Sequence, residues 1–326
     1  MNDSAPIVQG ILLAFALVVI FMPPYLQVLR RLGFGKRIRE EGPHSHLMKE
    51  GTPTMGGLLI IAVVLGLAAL LNLNDPSTFA PMATLALVGA LGTADDYLNA
   101  RTGDGIRVRQ KLLWQSVVAV VVAWQIQNTY SITALSVPFL GAVTIDPLIY
   151  IGLAAVAIIA ASNGVNITDG LDGLAGGTLI FAFVAFLIIA ILNVPAQPKL
   201  AVLCALLIGA LLGFLWFNVH PAQIFMGDSG SLSLGATLAV IALITGQILL
   251  LPLIGIIFVA ETGSVLLQIL SVKLTGRRPF RMSPIHHHFE LAGWDEEKIT
   301  MRFWIVALLA AMLGVSFFLA TVRHVL

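Results

Sequence analysis

The chain has 326 residues, of which 58% are hydrophobic and only 11% are charged. Soluble domains carry about 25% charged residues, so this composition excludes an ordinary soluble protein and predicts an all-α polytopic membrane protein. The formal net charge of +1 gives no basic field, so no nucleic-acid partner is expected. The single cysteine, Cys204, excludes a disulfide framework and a cysteine-based metal site.

Ten apolar runs are candidates for membrane-crossing helices, since a span needs roughly 20 mostly apolar residues. They lie at 7–29, 55–72, 79–94, 112–127, 147–163, 174–193, 199–217, 231–246, 248–270 and 303–322. The short link at Gly246 and Gln247 predicts a tight helical hairpin, and the alternating loop 128–146 indicates a small β-hairpin. We expect one membrane domain over residues 1–326, with the first run retained as a span rather than removed as a signal peptide.

Lysine and arginine are distributed unevenly over the loops between these runs. When alternate loops are assigned to one side, that side receives 16 of the 18 basic residues and leaves only Lys199 and Arg323 on the other. Cytoplasmic loops carry the excess of lysine and arginine in membrane proteins. The sequence therefore predicts an even number of spans, both termini outside, and the polar loops in the cytoplasm.

Three of the cytoplasmic loops carry unusual acids. Asp95 and Asp96 directly follow the third run, where adjacent carboxylates favour a bound cation; a solvated helix C-terminus is the alternative, which the helix dipole disfavours. Asp169 and Asp172 could share one face of a helical turn or serve as turn formers beside glycine. Asp228 could hold a metal or cap the helix that follows it.

Basic residues and one buried acid complete the set. Lys49 in the first loop either binds an anion or belongs to the positive flank of a span. The three histidines 286–288 suggest zinc at first sight, but helical zinc-binding pairs are usually about four residues apart. We therefore favour phosphate or sugar binding for this run. Glu261 lies deep within the ninth run and has either a functional or a buried structural role.

Acids, amides, lysine and histidine gathered at one membrane face suit Mg²⁺-assisted phosphoryl chemistry. A site at the membrane surface indicates that one substrate is a lipid. The sequence contains no Walker-type loop, so ATP hydrolysis is unsupported. A transporter is an alternative, but transporters place their polar residues near the midplane of the membrane. A purely structural scaffold would not need these acids at the membrane surface.

The motifs resemble, in order and over essentially the whole chain, those of the phospho-N-acetylmuramoyl-pentapeptide transferase family. They are Pro43-His-Ser-His-Leu-Met-Lys-Glu-Gly-Thr-Pro-Thr-Met-Gly-Gly57, Asp95-Asp96, Asn163-Gly-Val-Asn-Ile-Thr-Asp-Gly-Leu-Asp-Gly173, Gly227-Asp-Ser-Gly-Ser231 and Pro284-Ile-His-His-His-Phe-Glu290. Related polyprenyl-phosphate GlcNAc-1-phosphate transferases share the aspartate motifs and are the nearer alternative.

The resemblance implies a reaction and a setting. Phospho-MurNAc-pentapeptide would pass from UDP-MurNAc-pentapeptide to undecaprenyl phosphate, giving lipid I and UMP in a Mg²⁺-dependent step of peptidoglycan synthesis, and hence of cell-wall growth and division. The enzyme would be a multi-pass protein of the bacterial cytoplasmic membrane. The resemblance also implies a homodimer within the lipid bilayer.

The same resemblance implies roles for three aspartates. Asp228 would be the metal ligand, Asp95 the base or orienting group for the lipid phosphate, and Asp96 its essential neighbour. We expect direct attack of the lipid phosphate on the β-phosphorus. A covalent phosphosugar intermediate on an aspartate is the alternative.

The substrate pocket implied by the resemblance draws on several loops, and Phe225 would stack on uracil. The other implied pocket residues are Lys49, Asn166, Asp169, Asp172, Asn218, Gln268, His286, His287 and His288. Many family members carry lysine three residues after the second aspartate, where this chain has Asn99. We therefore expect Lys111 to supply a phosphate contact.

Overall fold

The computed structural model describes residues 5–35, 51–137 and 141–323, and every predicted apolar run is helical over most of its length. The helices are α1 (Ala5–Leu32), α2 (Gly56–Leu70), α3 (Pro76–Thr102), α4 (Val108–Tyr130), α5 (Pro147–Thr168), α6 (Leu174–Leu192), α7 (Pro198–Asn218), α8 (Gly227–Ile244), α9 (Leu251–Ile254), α10 (Ile256–Thr275), α11 (Ile285–Glu290) and α12 (Glu296–Arg323). The strands are β1 (Ala134–Val137) and β2 (Gly141–Thr144).

Among the described residues, eight helices are long and apolar enough to cross a membrane. They are α1, α3, α5, α6, α7, α8, α10 and α12. Helix α2 is apolar but has only 15 residues, and α4 has 23 residues but is more polar. The chain is therefore a multi-pass, largely helical membrane protein, and the count of ten spans stays a prediction.

The predicted β-hairpin within 128–146 is confirmed. Strands β1 and β2 pair antiparallel, with Ala134 opposite Thr144 and Val137 opposite Gly141. The link predicted as a helical hairpin is a tight turn followed by a 3-10 segment rather than a long helix, and Gly246 adopts a positive φ of 72° in this turn. Glycine tolerates this conformation without steric cost.

Two predicted boundaries are wrong. The ninth run is not one helix but a 3-10 turn (Ile248–Leu250), then α9, then α10, because Pro252 starts a new helical segment and the chain breaks at Gly255. The third run does not end before Asp95. Helix α3 continues to Thr102, where Gly103 ends it with a φ of 83° and donates its N–H to Asn99.

Helix α8 is the buried centre of the bundle, and glycine allows its neighbours to approach its backbone. A Cβ atom added at Gly57 of α2 would lie 2.1 Å from the backbone of Gly230. One added at Gly92 of α3 would lie 2.2 Å from the carbonyl oxygen of Asp228. Small residues let membrane helices pack with their backbones in contact, and here they bring the polar ends of α3 and α8 together.

Candidate active site

Lys111, in the first turn of α4, lies between two carboxylates that come from different helices. Its Nζ atom is 2.8 Å from Oδ2 of Asp95 on α3 and 2.6 Å from Oδ2 of Asp228 on α8. The other oxygen of Asp95 accepts the backbone N–H of Ile106 at 2.5 Å. Two carboxylates therefore face a single cation position.

Asp228 does not cap its own helix, so the capping alternative for this residue is wrong. The N-terminus of α8 has no side-chain cap, and Asp228 is in its first turn. Its Oδ1 atom accepts a hydrogen bond from Asn166 Nδ2 at 2.8 Å, and Asn166 also contacts Ser231 Oγ at 2.9 Å. Asn166 and Lys111 thus hold both oxygens of Asp228.

Asp96 supplies the cap that α8 lacks. Its two carboxylate oxygens accept the backbone N–H groups of Asp228 and Ser229, both at 3.0 Å. The first N–H groups of a helix have no partner within the helix, and negative charge at this end is favourable. Adjacent residues of α3 therefore do different things: Asp95 faces Lys111, and Asp96 fixes the backbone that carries Asp228.

Lys111 precedes the apolar run of α4, and its surroundings determine its charge. Burial lowers the pKa of Lys111, but the nearby carboxylates of Asp228 and Asp95 outweigh this effect and raise its pKa above the ordinary value. The ammonium group is therefore charged at neutral pH. Two carboxylates share this one cation.

The segment after α5 forms a turn rather than a helical face. Asp169 is the C-terminal cap residue of α5, and α6 begins just after Gly173, whose φ is 75°. The side chain of Asn218 fixes this turn because its Oδ1 accepts the Gly173 N–H at 3.1 Å while its Nδ2 donates to the Ile224 carbonyl at 2.8 Å. Of the two alternatives for Asp169 and Asp172, turn formation is the one observed.

Asp172 is buried and connects this turn to two other segments. Its Oδ2 accepts the Ala222 N–H at 3.1 Å and lies 3.0 Å from Nδ1 of His220, and its own N–H donates to Glu296 at 2.6 Å. Among the described residues, Asp172, His220 and Glu296 form the one group of three close metal-type ligands. Sequence reasoning missed His220 and Glu296, because they lie 48 and 124 positions from Asp172 in the chain.

The first histidine of the run is buried against an acid. Nδ1 of His286 lies 3.0 Å from Oε2 of Glu261, and neither side chain is more than 1% exposed. On its other side the ring meets Gly170, where an added Cβ would lie 2.4 Å from Nε2. The contact does not have hydrogen-bond geometry, because both ring nitrogens of His286 and both carboxylate oxygens of Glu261 are buried without a hydrogen-bond partner among the described residues.

The other two histidines have partners of their own. Nδ1 of His287 lies 2.6 Å from Oε2 of Glu290, and His288 Nδ1 accepts the Arg281 N–H at 3.1 Å. The three rings therefore engage different groups.

Gln268 on α10 uses both of its polar atoms on one backbone unit. Its Oε1 accepts the Phe280 N–H at 3.1 Å, and its Nε2 donates to the Phe280 carbonyl at 3.3 Å. The loop that carries the histidines is thus tied to α10.

Three further positions were named from the sequence: Phe225, Asn99 and Lys49. Phe225 is half-buried before α8, and its backbone pairs with Pro53 and Gly56 on either side of Thr54. Asn99 is exposed on α3, and the phosphate contact of Lys111 stays a prediction. Lys49 falls outside the described residues.

Comparison with known proteins identifies the family. Residues 78–246 match the model described as glycosyl transferase family 4, and residues 49–61 match phospho-N-acetylmuramoyl-pentapeptide-transferase signature 1. The first match spans α3 to α8 and so includes Asp95, Asp96, Lys111 and Asp228.

Relatives of similar length carry the same name. The phospho-N-acetylmuramoyl-pentapeptide-transferase of Geobacillus sp. (strain WCH70) is 43% identical over 314 residues, which cover 94% of this chain and 96% of the relative. That of Desulfosudis oleivorans is 45% identical over 325 residues, covering 94% and 90%. Because the similarity is this high over nearly the full length, the chain belongs to the phospho-N-acetylmuramoyl-pentapeptide-transferase family.

Proposed function

We propose that the protein is a Mg²⁺-dependent phosphotransferase of the bacterial cytoplasmic membrane. It transfers phospho-MurNAc-pentapeptide from UDP-MurNAc-pentapeptide to undecaprenyl phosphate and releases lipid I and UMP. The near-full-length similarity to relatives named for this transfer supports the reaction. The apolar helices support the membrane setting and a lipid acceptor.

One observation carries the chemistry: Asp95 and Asp228 converge on a single cation, the ammonium of Lys111. Carboxylate oxygens are the hard ligands that Mg²⁺ prefers, and these two already accommodate a positive charge. The residues present therefore fit a magnesium ion held by Asp228 with Asp95 beside it. Such an ion would neutralise phosphate charge in the transition state.

The remaining roles belong to groups of this chain. Asn166 and the backbone held by Asp96 fix Asp228, so its carboxylate is preorganised. Asp95 orients the lipid phosphate or removes its proton, and Lys111 binds a phosphate of the nucleotide. Direct attack of the lipid phosphate is the proposed path. Trapping of sugar phosphate on Asp95 by rapid quench would replace it with a covalent path.

The nucleoside end of the substrate is assigned to the loops around the turn after α5. The proposed contacts there are Lys49, Asp169, Asp172, Asn218, Phe225, Gln268, His286, His287 and His288. Asn218 and Asp172 are buried and tie these loops together, which supports a preformed pocket. We also propose a homodimer with ten spans, both termini outside and the site at the cytoplasmic face.

UMP release separates the proposed reaction from that of the nearer alternative. Purified protein in detergent with undecaprenyl phosphate and Mg²⁺ is given either UDP-MurNAc-pentapeptide or UDP-GlcNAc. We expect UMP and a lipid-linked product only with the first nucleotide. Turnover with UDP-GlcNAc alone would assign the protein to the sibling reaction, and flux across proteoliposomes without UMP would indicate transport.

Substitution of Gly170 by alanine tests the contact between the histidine run and the turn. The added Cβ would lie 2.4 Å from Nε2 of His286, so either the ring or the turn must move. Misplacement by about 1 Å can cost about 10²-fold in rate, and we expect kcat/KM for UDP-MurNAc-pentapeptide to fall by about tenfold to 10²-fold.

Gly152→Ala is the matched control for this substitution. Gly152 lies on α5 with open space around its Cβ position, so the same added methyl group should leave kcat/KM unchanged. Unaltered kcat/KM in Gly170→Ala would show that His286 does not have to stay against this turn during turnover.

A further inference from the structure

We propose that Lys111 is a resident cation that occupies the divalent-metal position of the free enzyme and leaves it for a substrate phosphate when the metal binds. The inference rests on the proposed function. The exchange of the Lys111 ammonium for the metal ion would precede the chemical step.

The geometry makes the ammonium and an ion mutually exclusive. Nζ lies 2.8 Å from Asp95 Oδ2 and 2.6 Å from Asp228 Oδ2, so the two oxygens point at one small volume. Mg²⁺ binds oxygen at about 2.0–2.1 Å, so an ion shared by these oxygens cannot coexist with Nζ in its present place. Like charges at such a separation would also repel strongly.

The two carboxylates are held independently of the lysine. Asp95 has a second partner in the Ile106 N–H, and Asp228 has one in Asn166. When the ammonium leaves, both acids therefore keep a partner that fixes their orientation. The ammonium of Lys111 instead lies at the end of a flexible four-carbon chain. Its side chain is 23% exposed, so the ammonium can move away from the carboxylates toward solvent.

The exchange has a functional consequence. In the free enzyme the ammonium lies between the carboxylates of Asp95 and Asp228. Once displaced, it is a free cation beside the site where a diphosphate must bind. Metal loading and phosphate binding are thereby coupled through one side chain, and each should strengthen the other.

Mn²⁺ binding without substrate tests this exchange, because it is read by the electron paramagnetic resonance signal of the free ion and needs no turnover. Full-length protein in detergent is compared with Lys111→Met and Lys111→Gln. We expect both variants to bind Mn²⁺ at least about tenfold more tightly than wild type, a difference of about 1.4 kcal/mol. Two variants are used so that poor folding of one does not decide the result.

Arg107→Met is the matched control. Arg107 is exposed at the start of the same helix and carries the same charge, but it makes no contact with the two aspartates among the bonds of the described residues. Its removal should change Mn²⁺ affinity by less than about twofold, since exposed charges are screened. Equal gains in Arg107→Met and Lys111→Met would indicate long-range repulsion and overturn the exchange.

Failure of the exchange can be told apart from failure of the proposed function. Unchanged or weaker Mn²⁺ binding in both Lys111 variants, alongside UMP release by the wild type, overturns only the exchange. A wild type that neither binds Mn²⁺ nor releases UMP overturns the proposed function and the exchange together.

Discussion

Replacement of Asp228 by asparagine is expected to lower the rate of UMP release by about 10³-fold or more, as removal of a residue central to a catalytic unit does. Asparagine is nearly the same size, so packing is preserved. The substitution removes the negative charge of Asp228, which together with Asp95 pairs with Lys111. A metal ion would need the same charge. The measurement is UMP release under saturating substrates, with folding checked by thermal unfolding in detergent.

Asp75→Asn is the control for this charge change. Asp75 caps the opposite end of α3, where it accepts the Ser77 N–H at 2.9 Å and the Ser77 hydroxyl at 2.7 Å. The Ser77 N–H lowers the pKa of Asp75, so its stabilising effect is present at neutral pH and is lost as pH falls through the folded-state pKa. We expect unchanged UMP release and a loss of at most about 1 kcal/mol in stability.

A comparable rate in Asp228→Asn and wild type would remove Asp228 from the catalytic machinery. An equal loss in Asp75→Asn would instead show that activity depends on stability alone.

Substitution of Gly92 by alanine is expected to have the second-largest effect, although Gly92 makes no contact with substrate in the proposed mechanism. The added Cβ would lie 2.2 Å from the carbonyl oxygen of Asp228 and 2.5 Å from the Ser229 nitrogen. Backbone atoms cannot rotate away, so α3 and α8 must separate. Overpacking of this kind costs about 1–3 kcal/mol, and a shift of about 1 Å in Asp228 can cost about 10²-fold in rate.

Gly66→Ala provides the comparison on α2. A Cβ at Gly66 has open space within 4 Å, and alanine is favoured over glycine within a helix by about 0.5–1 kcal/mol. Gly66→Ala should keep full UMP release and unfold at the same or a slightly higher temperature. Gly92→Ala with wild-type activity and stability would mean that the contact between α3 and α8 does not position Asp228.

Local sequence was enough to predict the helices and the kind of chemistry. Apolar runs predict helices because a segment in lipid must pair its backbone N–H and C=O groups with one another, as a helix does. The alternating loop 128–146 predicted a hairpin for a similarly local reason. The aspartate and histidine motifs identified the family because the residues of each motif lie close together in the chain. Errors arose where hydropathy was followed in place of the local Gly and Pro signals: α3 runs past Asp95 to Gly103, and the ninth run breaks between Pro252 and Gly255.

Contacts between distant residues required the folded chain. Lys111 meets Asp228 across 117 positions, and Asp96 caps α8 across 132. Hydropathy and motif spacing say which residues are polar, but not which backbone N–H a carboxylate will face. That depends on how closely two helices approach, and here Gly57, Gly92 and Gly230 set the approach. The acids were visible in the sequence; their division into a cation-facing Asp95 and a helix-capping Asp96 came from packing.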